Sequence, residues 1–179
     1  MQPQTILDYW FKEIPSENWF KSSDSFDDEL RARFTEIHQQ AAQGELASWR
    51  ETIHGRLAEI IILDQFSRNI YRGSTAAFSC DNMALALAQE AIKQPDLNDL
   101  SITEKGFLFM PYMHSESLII HQEALRLFSE PGLENQLHFE QLHRDIIKKF
   151  GRYPHRNQIL GRVSTPEEIA FLKEPNSSF

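Results

Sequence analysis

Three short stretches gather the residue types that carry chemistry. Near the C-terminal end, FGRYPHRNQILGR places Arg152, His155, Arg156, Asn157 and Arg162 around two glycines and a proline. Pro154 suits the first position of a short helix, whose unpaired backbone N–H groups form a positive dipole end. Cations crowded at that end are unfavourable unless an anion joins them. Asp64, Glu116 or an outside ligand can supply it. A second stretch, LDQFSRNIYR, spaces Asp64, Arg68 and Arg72 four apart on one helical line, with Gln65 and Asn69 beside them. That spacing gives either a simple i,i+4 ion pair or a pocket wall in which Asp64 holds a guanidinium ready to fork onto a carboxylate or phosphate.

The third stretch, FMPYMHSES, sets His114 and Glu116 just after Pro111. Ser115 and Glu116 read as the N-terminal cap and first-turn acid of the next helix. Alternatively, His114 and Glu116, with His155, form an acid–base set for proton transfer. His-x-Glu alone is too common to indicate a metal, and neither a metal nor a cofactor is expected. His143 lies between Phe139 and Ile147 at helical spacing, as a core histidine or a pocket neighbour. Arg144 reads as the solvated partner of Glu140.

The rest of the chain limits these readings. Its 179 residues are 41% hydrophobic and 25% charged, enough for one domain with a sizeable core, over 1–175, followed by an expected frayed tail, 176–179. The formal net charge of -8 excludes broad nucleic-acid binding. Between His138 and Arg162, however, four Arg and two Lys face only Glu140 and Asp145. The single cysteine, Cys80, fits a reducing cytoplasm and a core position. No stretch nears the length of a membrane span. The sequence does not specify an oligomeric state.

Helical periodicity must position the three stretches, since alternating strand patterns are absent. It predicts about eight helices in a single all-α domain. They cover 5–14, 24–43, a long segment 45–71 interrupted near Gly55, 75–93, 103–110 ended or kinked by Pro111, 115–129, 133–150 stopped by Gly151, and a short turn from Pro154 to Leu160. The last helix follows Thr165-Pro166-Glu167-Glu168, a capping box. Short connections favour antiparallel hairpins.

In order, LAEIIILDQFSRNIYRG, AFSCDNMALALA, FMPYMHSES, FGRYPHRNQILGR and STPEE resemble the bacterial family known as domain of unknown function 924, over nearly the whole chain. Ser67 stands where proline is frequent in that family. The resemblance implies a tetratricopeptide-like right-handed array of helical hairpins and transfers no activity. Three functions stay open. A binding module would use Arg68, Arg72, Arg152, Arg156 and Arg162 for a small anion or acidic peptide. A metal-independent hydrolase or lyase would use the histidines as acid and base and the arginines as an oxyanion or phosphoryl clamp. A structural network would join the same residues only to one another.

Overall fold

A computed structural model of the chain describes residues 1–175, 177 and 178. Among these there is no strand. The helices are α1 (Pro3–Asp8), α2 (Asp24–Ala42), α3 (Ile53–Ile61), α4 (Ser67–Ile70), α5 (Asp81–Ala91), α6 (Ile102–Met113), α7 (Leu118–Phe128), α8 (Glu134–Phe150) and α9 (Pro166–Phe171). α3 and α4 are one rod joined by a π-helical turn, Ile62–Phe66, so the architecture is that of about eight helices. The helices stack in pairs: α1 on α3, α2 on α4, α3 on α5, then in chain order α5 on α6, α6 on α7 and α7 on α8, as in a tetratricopeptide-like array.

Local sequence explains most of the boundaries. Ser23 caps α2 by accepting from the Phe26 N–H, and the helix ends before Gly44, which has φ 75°. Gly151, with φ 70°, closes α8. Those left-handed values are routine only for glycine. Thr165 and Glu168 complete the expected capping box of α9. The long segment 45–71 is interrupted as expected: a 3-10 turn, Ala47–Glu51, precedes α3. The cause is the approach of the Trp49 carbonyl to α3. A Cβ on Gly55 would lie 1.9 Å from that oxygen. Gly55→Ala is therefore expected to destabilise the fold by about 1–3 kcal/mol, read from the urea midpoint, because backbone rather than a flexible side chain must yield.

Two expectations are corrected. Pro111 does not end its helix: α6 runs through it to Met113, and His114 is its cap residue. A proline removes one hydrogen bond, to the carbonyl four residues back, and that loss is tolerated inside this buried helix. Ser115 does not cap α7. The cap position falls on Ser117, without a side-chain bond, which frees 114–116 to form a non-helical corner.

The main core is built on Trp10, Phe34, Phe66, Phe107, Phe109 and Phe128. A separate small core of Ile146, Ile147 and Tyr153, with Phe150 and Phe171 against it, seats the C-terminal segment. The expected tail, 176–179, falls in part on Asn176 and Phe179, which lie outside the described residues. Within it Ser177 is buried and donates to the Leu172 carbonyl.

Candidate functional site

The π-helical turn is the natural starting point, because such turns re-aim side chains inside a helix. It carries Asp64 and Gln65, both buried. Asp64 Oδ2 accepts from Gln65 Nε2 at 2.6 Å. Asp64 Oδ1 lies 2.7 Å from His114 Nδ1 and 3.2 Å from Arg68 Nη1. Burial opposes the Asp64 charge, but Arg68 and then His114 outweigh it and hold the carboxyl well below the usual carboxylate range. An ionised carboxylate only accepts, so the proton of this contact sits on His114 Nδ1. Burial first, and then Arg68, lower the pKa of His114 below its ordinary value. The imidazole is therefore neutral at pH 7, with its Nε2 lone pair free.

Asp81, in the first turn of α5, is the hub on the other side. Arg68 forks onto it through Nη1 and Nη2, at 2.9 and 3.1 Å. Arg156 Nη1 reaches the same carboxylate at 3.1 Å, and its Nη2 donates to the His114 carbonyl at 3.0 Å. The Arg156 guanidinium sits between the rings of Phe78, at 4.7 Å, and Tyr153, at 4.6 Å. Its side chain is 8% exposed, and Nε has no hydrogen-bond partner among the described residues.

A cleft of about 230 Å³ opens onto this cluster. His114, Glu116, Asp81 and Arg156 line it, with the polar side chains of Ser79 and Asn82 and the apolar ones of Phe78 and Leu85. His114 is 15% exposed there, and no hydrogen bond to its Nε2 is found among the described residues.

The remaining predicted residues fall into three groups. Glu116 and the C-terminal stretch adjoin the cleft but pair with each other. Arg162 forks onto Glu116 at 2.7 and 2.9 Å, and the Tyr153 N–H donates to Glu116 at 2.7 Å. Burial works against the Glu116 charge, but the Arg162 fork and the Tyr153 N–H lower its pKa. Asn157 Oδ1 accepts from Arg162 Nε, and its amide donates to Glu168. Arg152 forks onto Glu168 at 2.7 and 2.9 Å, and that bond first among the causes holds the Glu168 carboxyl down to about 2. Arg72 and Asn69 both bind Asp27 on α2, away from the cleft.

The histidines form the third group, around Tyr153. His143 and His155 have ring centroids 5.7 and 5.5 Å from that of Tyr153. Burial is the chief cause that pushes them down to about 3 and about 4, so both are neutral. His143 Nδ1 donates to the Phe139 carbonyl at 2.8 Å, as a core histidine should. Glu140 is not the solvated partner of Arg144. It is fully buried, 2.7 Å from His121 Nδ1, and burial raises its pKa. Tyr153 Oη donates to the Met113 carbonyl, so it accepts from His121 Nε2 at 3.1 Å.

Sequence reasoning missed Asp81, Glu168, Asp27 and the His121–Glu140 pair. Asp81 lies inside the helix expected over 75–93, with nothing in its spacing to mark a distant partner, and Glu168 reads as a capping-box residue. The available signal was arithmetical: five arginines near helix ends need carboxylates, and Asp64 and Glu116 alone are too few. Among the described residues no group of three or more His, Cys, Asp or Glu could hold a metal ion, and no helix is long and apolar enough to cross a membrane.

Residues 6–176 match the model of a family described as bacterial protein of unknown function, DUF924. The chain belongs to this family. The residues of the cleft and their partners, from Asp64 to Arg162, all lie inside the matched span. The fold is also that of a solved structure, a protein of unknown function, ATU0120, from Agrobacterium tumefaciens. The two are 37% identical over 96% of each chain, with a TM-score of 0.90. Among curated proteins nothing matches the chain.

Proposed function

We propose that the cleft beside His114 binds a small polar molecule, which donates an O–H or N–H to His114 Nε2 and offers an oxygen to Arg156. One observation carries this reading: His114 lines the cleft and is locked by Asp64 through Nδ1, while no hydrogen bond to its Nε2 is found among the described residues. The unpartnered Nε of the buried Arg156 supports the same reading, since an unmet buried donor is costly.

Charge narrows the ligand class. Around the cleft Asp64, Asp81 and Glu116 match Arg68, Arg156 and Arg162. A full negative charge meets no surplus cation there, so a neutral hydroxyl- or amide-bearing molecule fits better than a phosphate, a carboxylate or an acidic peptide. The Asp64–His114 geometry also favours a second reading, acid–base catalysis, because a fixed tautomer with a free Nε2 can take a proton from a bound ligand. Such chemistry would proceed by proton transfer to His114, as no serine, threonine or cysteine bonds to Nε2 among the described residues. Lyase-type chemistry suits that arrangement better than hydrolysis through a covalent intermediate.

Nitrogen-resolved NMR of His114, with a metabolite screen by chemical-shift perturbation, tests the site. The ring should stay in the Nδ1–H tautomer and predominantly neutral at pH 7. Neutral polyols, amides and amino alcohols that perturb His114 should bind about three- to tenfold more weakly to His114→Phe, the loss of one hydrogen bond. Asp64→Asn should release the tautomer, a change that loss of packing alone would not produce. A ring that carries Nε2–H in the wild type, or ligands indifferent to His114→Phe, would overturn the proposal.

A further inference from the structure

Three successive backbone carbonyls form the corner that carries His114, and each is held by a side chain from elsewhere in the fold. A helix end leaves such carbonyls without helical partners. Tyr153 Oη donates to the Met113 carbonyl, and Arg156 Nη2 donates to that of His114. His121 Nε2, on α7, lies 2.8 Å from the Ser115 carbonyl and 3.1 Å from Tyr153 Oη. Both oxygens act as acceptors toward it. A carbonyl has no proton to give, and the Tyr153 proton is committed to Met113. His121 Nε2 therefore carries a proton.

The other ring nitrogen, Nδ1, lies 2.7 Å from Glu140 Oε1 on α8. Two assignments fit that distance: an imidazolium facing a carboxylate, or a neutral imidazole accepting from a carboxylic acid. The surroundings favour the second. Both side chains are 0% exposed. An ion pair so placed needs donors on its remaining lone pairs to offset desolvation. Glu140 Oε2 has no hydrogen-bond partner among the described residues. Arg144, one turn further along α8, lies 3.8 Å from Asp145 and makes no ion pair with Glu140 among the described residues. Burial, the largest influence, raises the Glu140 pKa against the pull of His121 and Arg144. The neighbouring His143 and Tyr153 are kept uncharged by burial and supply no further cation.

We infer that Glu140 is a buried carboxylic acid at neutral pH and a positioning residue for the cleft: its O–H donates to His121 Nδ1 and fixes the ring whose Nε2–H holds the Ser115 carbonyl beside His114. The functional meaning of that acid rests on the proposed role of the His114 cleft, whereas the place of its proton does not. Nitrogen-resolved NMR of the wild type at pH 7 should show His121 neutral, with Nε2 protonated and Nδ1 bare. The infrared difference between wild type and Glu140→Gln should contain the carbonyl band of a protonated carboxyl group. Glu140→Gln keeps a donor toward Nδ1. His121 and His114 should therefore keep their ring signals in that variant, and the urea midpoint should stay near the wild-type value. Glu140→Leu removes the donor and should shift the ring signals of both histidines. An imidazolium at His121 in the wild type, a missing carboxylic-acid band, or His114 signals that respond equally to the two substitutions would each overturn the inference. None of these readouts needs a ligand, so they decide the matter even where the cleft binds nothing.

Discussion

Replacing Asp81 by alanine should cost about 3–5 kcal/mol of stability, the range for removing one partner from a buried charge pair. For a chain of this size that corresponds to a fall in Tm of roughly 6–20 °C. Two guanidinium groups depend on this one carboxylate, Arg68 through a fork and Arg156 through a single bond. They are not affected equally. Arg68 keeps Asp64, 3.2 Å away, whereas Arg156 keeps only the His114 carbonyl and the faces of Phe78 and Tyr153. The uncompensated charge should therefore reside mainly on Arg156. Arg156→Met in the same background should recover part of the loss, since it removes the buried charge and keeps an apolar body between the two rings. A double-mutant cycle by urea denaturation separates the possibilities. A loss below about 1 kcal/mol for Asp81→Ala, the range of an exposed pair, or strict additivity of the two changes, would show that water already screens the cluster.

That hub also marks the limit of what the sequence could say. Local features were legible because their causes are local. Gly44 and Gly151 end helices through their own φ, and Thr165 with Glu168 caps α9 within four residues. The residues of the buried polar cluster were legible too, since Asp64, Arg68, His114 and Arg156 each stand in a stretch that interrupts the apolar pattern. Their partners were not. Glu116 sits two residues from His114 in the chain, yet its carboxylate turns to Arg162, 46 residues away, while His114 turns to Asp64, 50 residues away. Sequence proximity ranks those pairs wrongly, because helix packing and the π-helical turn at 62–66 decide which carboxylate meets which cation. The same turn escapes periodicity analysis: one extra residue in a turn leaves the apolar spacing of Ile60, Ile61 and Leu63 nearly unchanged.

Stability should decline with acid from a higher pH than carboxylates alone would produce. His143 and His155 are held neutral in the fold, pushed down to about 3 and about 4, chiefly by burial. In the unfolded chain they titrate near 6.5. Below that pH the unfolded state binds more protons than the folded state, so stability falls as pH falls, until each ring protonates in the fold itself. Each histidine contributes a slope approaching about 1.4 kcal/mol per pH unit in that window. The depressed carboxyls act in the same direction at lower pH. Glu168 contributes stability above about 4 that is lost as pH falls through about 2, and Asp64 and Glu116 behave likewise. Glu140 opposes them, because burial raises its folded pKa and the fold then loses stability as pH rises through that value. Urea midpoints between pH 7 and 5 should therefore fall steeply in the wild type, and the slope should flatten in His155→Gln by about one proton. His155 is the better probe, since it is partly exposed, whereas His143 is packed in the core. A midpoint that stays level down to pH 5 would mean that the rings around Tyr153 take up protons inside the fold.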